Sequence, residues 1–399
     1  MNVELHILQN LAPSNVNRDD TGSPKECQFG GSRRARISSQ SWKRAIRDAF
    51  TTSPLLSVEH RAIRTKRIVE AIRDRLSTRK LPTEAERVAA LLVEQVFKLE
   101  KGQTSYLLFL APDELDAAAA LCLDQWDILI NVVHQRDEAE HAEKKRDEAE
   151  HTGKKREKAV IAPPIEIKNK FIKLLDGQHA ADLALFGRMI ADLPNKNVDA
   201  ACQMAHAIST HSVNIETDYY TAIDDLQPTD MNGAGMIGTV EFASACFYRY
   251  TNIDTQQLLT NLGDDHELAQ ASLHAFLRAM VTTIPSGKQH SMAAYNPPSF
   301  VMAVVRETGN WSLANAFVRP IQAKENQDLV TGSITALDQY WGRLTAMYGK
   351  GSITASYVAM LEAVPLHSVV LQDTSPTPLL DLDTLYMQVM HEAFPTEAQ

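Results

Sequence analysis

The sequence predicts an α+β fold: a sheet domain interrupted by a helical insertion and a protruding β-ribbon. Three observations carry this. Period-two alternation of apolar residues recurs in runs that lie far apart in the chain, at 3–11, 33–38, 239–250 and 300–305. Between the second and third runs, the block 56–195 reads as helical. The stretch 212–239 is polar and holds Asn232-Gly233, a hairpin signal. The boundaries that follow are 1–55, 196–211 and 240–399 for the sheet domain, 56–195 for the insertion and 212–239 for the ribbon.

Composition bounds the rest. At 399 residues, 44% of them hydrophobic, the chain can fill the core of one large elaborated domain or of two to three smaller ones. Its four cysteines, Cys27, Cys122, Cys202 and Cys246, are widely spaced with no CxxC. This argues against a zinc site or disulfide framework and for a reducing, cytoplasmic setting. The N-terminal MNVELHILQNLAPSN lacks the basic and apolar regions of a signal peptide, and no apolar run reaches membrane-spanning length. Net charge is −10, from 40 basic and 50 acidic residues, which speaks against nonspecific nucleic-acid binding by the whole surface. The first fifty residues reverse the balance, with eight Lys/Arg against five Asp/Glu. An acidic protein binds nucleic acid when its basic residues line one groove.

In chain order, Val3–Leu11 predicts the first strand of a central sheet, with Leu5 and Ile7 buried. Residues 12–31 form a long loop with Asn17, Arg18, Asp19, Asp20 and Lys25, and a loop of that length inside a compact domain points to function. Helices are expected over Arg61–Leu76, after Pro82 where Thr83 and Glu86 have capping-box spacing, and from Pro112 to Ile130. At 136–158 the decapeptide RDEAEHAEKK recurs as RDEAEHTGKK and decays to REKA. Charge without apolar residues gives a solvated helix or a disordered excursion, with His141 and His151 facing solvent. Helices over Ile167–Leu175, Ala180–Leu193 and Val198–His211 follow, the last with Val198, Cys202, Ala205 and Ile208 inward. After the ribbon come a strand at Thr239–Tyr250, two helices broken at Gly263, and a second loop, Ser286–Pro298, with Lys288, Gln289 and His290. A strand at Phe300–Val305, helices at Ser312–Val318 and Ile334–Met347, and a strand near Ser356–Met360 complete the chain.

Gly30–Arg47, GGSRRARISSQSWKRAIR, is the most basic stretch of this N-terminal region. From Ser32 onward it has no acid. Arg34, Arg36 and Ser38 alternate with Arg33, Ala35 and Ile37 as in a strand; Ser38 or Ser39 then caps a helix with Trp42, Ala45, Ile46 and Ala49 inward. Lys43 and Arg47 lie four apart on that helix, where like charges repel unless an anion is bound. Two glycines let backbone approach a ligand. A helix N-terminus with hydroxyls, the Gln40 amide and clustered cations makes a phosphate-binding surface.

The segment 15–47, NVNRDDTGSPKECQFGGSRRARISSQSWKRAIR, closely resembles the N-terminal signature of the CasC family, the crRNA-binding backbone subunit of the type I-E CRISPR surveillance complex, Cascade. Matching segments continue at AHAISTH (205–211), AIDDLQ (222–227), GTVEFASACFYRY (238–250), GKQHSMAAYNP (287–297) and ANAF (314–317), while the repeat at 136–158 departs as an extra insertion. The resemblance implies a hand-like architecture. Its palm is a modified RRM-like (ferredoxin-like) sheet, its fingers the helical insertion and its thumb a β-hairpin. It implies a non-catalytic subunit of antiviral defence without a cofactor. Copies stack as a filament along crRNA, each thumb flips out a nucleotide, and the partners are crRNA, the target DNA strand paired to it, further copies and other Cascade subunits. Phosphate contacts would fall on Arg18, Lys25, Ser38, Gln40, Lys43, Arg47 and Lys288. Met189 and Thr221 would pack against bases beside the flipped one. From the residues alone, Met189 reads as core packing.

A guide has to be gripped without regard to sequence, and phosphate contacts do that. Stacking aromatics at the usual RRM positions are absent, so the sheet face is not the expected RNA platform. An enzyme needs a constellation, and the chain has no Walker A, HExxH, GxSxG or DxDxDG pattern. His206 and His211, five apart on one expected helix, diverge and read as buried structural histidines. The paired acids Asp19–Asp20 and Asp224–Asp225 also diverge. The alternative is a metal-independent CRISPR endoribonuclease on an RRM-like fold, with His6 or His290 as general acid or base.

Overall fold

The computed structural model describes residues 1–53, 55–149 (143–149 as backbone only), 161–223, 225–226, 236–325, 327–368 and 381–395. Residues 150–158 of the repeat region, Asp224, Pro228 and Asn232-Gly233 lie outside the described residues. The chain divides into two compact units: residues 1–56, 201–259 and 266–399, and residues 57–200 with 260–265.

The first unit opens with β1 (Asn2–Ser14), then β2 (Glu26–Phe29), β3 (Ser32–Ile37) and α1 (Ser39–Thr52). Gly30 and Gly31 join β2 to β3 with φ of +59° and +75°, the left-handed pair that a two-residue hairpin turn requires. The glycines therefore serve this turn. A Cβ on Gly30 would lie 2.0 Å from the Val318 carbonyl oxygen of the same unit. Ser38 caps α1, its Oγ accepting from the Ser41 N–H at 3.4 Å. Trp42, Ile46, Ala49 and Phe50 face inward, the spacing of one helical stripe.

The second unit follows. In it β4 (Ile63–Thr65) precedes α2 (Ile68–Leu76), α3 (Pro82–Val93), β5 (Leu99–Glu100), β6 (Gln103–Thr104), β7 (Leu108–Leu110), α4 (Pro112–Asp124), α5 (Trp126–Ala149), α6 (Ile165–Leu174) and α7 (Ala181–Phe186). Ile72, Leu76, Val88, Leu92, Leu115, Leu129 and Phe171 meet in its core. The expected helix over 61–76 begins only at Ile68, because Ile63–Thr65 pair with Leu108–Leu110. The Thr83/Glu86 capping box does not form. Pro82 takes the first helical position, and its N-cap Leu81 has no side-chain acceptor to offer. The helix expected to reach Leu193 stops at Gly187, with φ +78°.

The chain then re-enters the first unit through β8 (Cys202–Met204), β9 (Ala207–Ser209), β10 (Glu216–Ala222) and β11 (Met236–Asp254), followed by α8 (Thr255–Asn261), α9 (His266–Thr282) and α10 (Gln289–Met292). β12 (Phe300–Arg306), α11 (Leu329–Tyr348), β13 (Ile353–Met360) and α12 (Leu382–Ala393) end it. The helix expected at 198–211 is absent. Its residues pair with β11 as two three-residue strands, too short for alternation to show against a spurious 3.6 spacing. α12 has no counterpart in the sequence reading.

One antiparallel sheet, ordered β13-β12-β1-β11-β9-β3-β2, organises this unit, with β8 and β10 also on β11. β1 lies between β11 and β12, so both of its edges are paired, and packed side chains cover both of its faces. On one face Leu8, Tyr248, Phe300, Met302 and Val304 pack against Ile334, Leu337 and Trp341 of α11. On the other, Leu11, Ala245 and Phe247 pack with Trp42 of α1. Covering both faces forces the polar residues of β1 inward too. Glu4 pairs with Arg306 at 3.5 Å, both fully buried, and accepts from Tyr250 Oη at 2.7 Å. His6 Nδ1 lies 2.9 Å from Tyr248 Oη, which accepts from the Leu313 N–H at 2.8 Å. Arg249 donates to Gln9 Oε1 at 2.7 Å and to the Met280 carbonyl, and its guanidinium carbon sits 3.6 Å from the Trp42 ring centre.

Two outcomes follow for stability. Arg249→Leu removes the donor to Gln9 Oε1 and to the Met280 carbonyl in the core and lowers unfolding free energy by roughly 2–4 kcal/mol, read from the urea midpoint. Burial holds the His6 imidazole down at about 3, against an unfolded value of about 6.5. Its contribution is complete above the unfolded value and drains as pH falls through that window, on the order of a few kcal/mol. A urea midpoint that declines between about pH 7 and pH 4, with a shallower decline in His6→Phe, is the expected result.

Candidate nucleic-acid interface

The basic stretch becomes a strand feeding a helix, and the first loop fixes the junction. Asn17 Oδ1 accepts from the Ser38 N–H at 2.8 Å, and the Asn17 carbonyl accepts from the Lys25 N–H at 3.0 Å. Buried Asn15 donates to the carbonyls of Gly22 and Glu241 at 2.9 and 2.8 Å, tying the loop to β11. Asp19 closes the loop tip by accepting from Thr21 and Ser23, and the Thr21 hydroxyl chiefly holds its carboxyl below the ordinary range. The second loop sits on the first. A Cβ on Gly287 would lie 2.4 Å from the Val16 carbonyl oxygen, so only glycine permits this approach. The neighbouring Lys288 is half-buried with φ +54°, and Gln289 is buried beneath it.

Helical periodicity separates the cations of α1. Gln40, Lys43 and Arg47 lie on one face; Ser41, Arg44 and Asp48 lie on another. A groove of about 780 Å³ opens on the second face, between α1, residues 16–22 and residues 283–287. Its charges are mixed: Arg18 and Arg44 face Asp19, Asp20 and Asp48, and Arg44 pairs with Asp48 at 3.7 Å. The first face sets the Gln40 amide beside the cations Lys43 and Arg47, which suits an anion better than the mixed charge of the groove. Lys43 on this face acts electrostatically on Cys202 of β8. Gln40 is exposed, Lys43 and Arg47 half-buried. Ser38 is buried with its Oγ engaged as the helix cap. Arg18 is exposed and Lys25 half-buried.

The three arginines of β3 take three different environments. Arg33 is exposed and pairs with Glu26 at 2.7 Å. Arg34 is fully buried and donates to the carbonyls of Ser209 and Phe317 at 3.1 and 2.8 Å, which removes it from any ligand surface. Arg36 lies against exposed His206, its Nη1 2.8 Å from Nδ1. His206 and His211 are thus neither on a helix nor both buried: His206 precedes β9, and half-buried His211 accepts at Nε2 from the Cys246 N–H at 3.2 Å. His6, one of the two candidate acid–base histidines, is sealed in the core, while His290 is exposed. Among the described residues no group of His, Cys, Asp and Glu is arranged to hold a metal ion, and no helix is long and apolar enough to cross a membrane.

In the second unit Met189 is 77% exposed, not core. It sits between buried neighbours. Arg188 Nη1 donates to both Glu114 carboxylate oxygens at 2.7 and 2.9 Å, and Ile190 is 1% exposed. Glu114 also accepts from the N–H groups of Ala111 and Gly177, both at 2.8 Å. Reciprocal 2.9 Å bonds between Arg188 and Val198, and one from the Ile190 N–H to Asn197 Oδ1 at 2.7 Å, fix the backbone on either side. The expected helix would have hidden Met189; the turn at Gly187 turns it out.

Thr221 lies on β10 opposite Ile237 of β11, and every residue of β10 is exposed. Tyr219, Tyr220, Ile223, Met236 and Ile237 make this ribbon apolar although solvent surrounds it. Gly238 leaves room for the Tyr220 ring, whose Cζ would come within 2.4 Å of a Cβ there. The bracing of Ser38 by Asn17 and the pairing of Arg36 with His206 escaped the sequence reading, although it named these residues. The only local signal for them was polar spacing in NVNRDD and AHAISTH.

A family model for CT1975-like protein matches residues 3–381. A chain from a "CRISPR RNA-guided surveillance complex, pre-nicking" superposes with a TM-score of 0.80 at 30% identity, over 99% of this chain and 100% of that one. A chain from a "CRISPR RNA-guided surveillance complex" gives 0.68 at 27% identity, over 97% and 100%. No curated protein matches. With nearly the whole sequence covered by that family model, the chain belongs to the CT1975-like protein family.

Proposed function

We propose that this protein is a component of a CRISPR RNA-guided surveillance complex and, within it, the non-catalytic backbone subunit that grips crRNA. The observation that carries the reading is the Gln40–Lys43–Arg47 face of α1, at a strand-to-helix junction that both polar loops brace. Such a face holds phosphates through charge and amide donors without touching base edges, so it suits guides of any sequence. The 30% identity to a surveillance-complex chain supports the setting.

In this reading the sheet unit is the palm of a modified RRM-like fold, residues 56–195 the fingers and 212–239 the thumb, in a type I-E assembly. Arg18, Lys25 and Lys288 add phosphate contacts, and Ser38 contributes by setting the helix N-terminus. Met189 and Thr221 wedge against bases, since small or apolar side chains part stacked bases without hydrogen-bond selectivity. The exposed apolar ribbon suits burial against RNA or a neighbouring copy in a filament along the guide, whose bases stay available to target DNA.

Filter binding of single-stranded RNA tests the grip. Lys43→Ala with Arg47→Ala weakens binding roughly tenfold or more at low salt, irrespective of sequence, and reduces the salt slope by about one to two. An unchanged slope rejects the phosphate assignment. RNA cleavage by the wild type that disappears in His290→Ala rejects the non-catalytic assignment. Met189→Ala separates base packing from folding: the unfolding midpoint stays within about 0.5 kcal/mol of wild type because the side chain is exposed, while RNA affinity falls.

A further inference from the structure

Next to Lys25, two groups outside the phosphate contacts named above come together. Arg36 of β3 places Nη1 2.8 Å from Nδ1 of His206, at the connection between β8 and β9. The Arg36 Nε donates to the Glu26 carbonyl at 3.2 Å, which orients the guanidinium. A guanidinium only donates, so His206 Nδ1 accepts and the ring proton sits on Nε2. The neutral imidazole therefore keeps one donor for an approaching anion.

The charges around the ring are nearly all positive. Burial first, then Arg36 and Lys25, hold the His206 imidazole below its usual range. The Glu26 carboxylate, on the adjoining strand, is engaged by Arg33 at 2.7 Å. The Cys27 thiol is pushed up by burial and is neutral. Lys25 and Ser38 are both bonded to Asn17, so the cluster adjoins the start of α1 and the face that bears Lys43. Like charges gathered this way in an acidic protein repel one another until an anion enters.

We propose that Arg36 and His206 extend the phosphate-binding face beside Lys25, taking one further phosphodiester of the bound RNA and holding it more tightly once His206 gains its second ring proton. The inference rests on the RNA-binding reading. When Nδ1 is protonated it stops accepting from Arg36. The guanidinium and both imidazole N–H groups are then all donors to phosphate oxygens. A bound phosphate raises the imidazole's proton affinity, so RNA binding takes up a proton and tightens as pH falls.

The full chain and a labelled single-stranded RNA of arbitrary sequence suffice as a test, by filter binding at fixed ionic strength. The wild-type Kd drops roughly threefold to tenfold from about pH 8 to about pH 5.5. His206→Gln loses that response, and Arg36→Gln reduces the salt slope by about one at the lower pH. Urea midpoints confirm that both variants fold. Salt-dependent binding that ignores pH overturns this inference alone, as does a pH response that survives in His206→Gln. An Arg36→Gln salt slope equal to wild type also overturns it. Absence of RNA binding at both pH values overturns it together with the reading beneath it.

Discussion

The seating of α1 depends on one buried guanidinium. Arg249 stacks on Trp42 while its nitrogens reach Gln9 and the Met280 carbonyl, so a single side chain ties β11 to β1, α9 and α1. Burial pulls it down to about 9, which still leaves it charged at neutral pH. Only a planar cation fits this role: it offers a face to the indole and a fork to two acceptors at once, and a lysine offers neither. Trp42 immediately precedes Lys43. The orientation of the Gln40–Lys43–Arg47 face is therefore set from inside the sheet.

Buried arginines recur at three other places. Arg34 anchors the β2–β3 hairpin to the carbonyls of Ser209 and Phe317. Arg188, bonded through Nη1 to both oxygens of Glu114, holds the backbone that turns Met189 outward. Glu4 and Arg306 pair inside the sheet beneath Trp311. Burying an ion pair yields little net stability, because desolvation offsets attraction, yet breaking one is severe. Its effect is to select one geometry.

Long, strongly periodic elements were legible in the sequence. β1, β11 and β12 alternate or run apolar, and α1 shows its stripe and its cap. What escaped had a local pattern that misreports its partner. Residues 202–209 mimic a helix because three-residue strands leave no room for alternation, and their pairing with β11 is a long-range fact. Met189 looks like core because Leu185 and Ile190 are core. The positive charge of Arg34 suggested a ligand, although its partners are carbonyls some 175 and 283 residues away. For α1 the period separates two cationic faces, but only the fold tells which borders the mixed-charge groove.

The placement of charge has a kinetic consequence. The chain carries −10 overall, while Lys25, Arg36, Lys43 and Arg47 gather around one strand-to-helix junction. A polyanion that drifts toward most of the surface meets repulsion, and near this junction it meets attraction. The field thus sorts encounters by direction before any contact forms, and it reaches only about 8 Å into physiological salt.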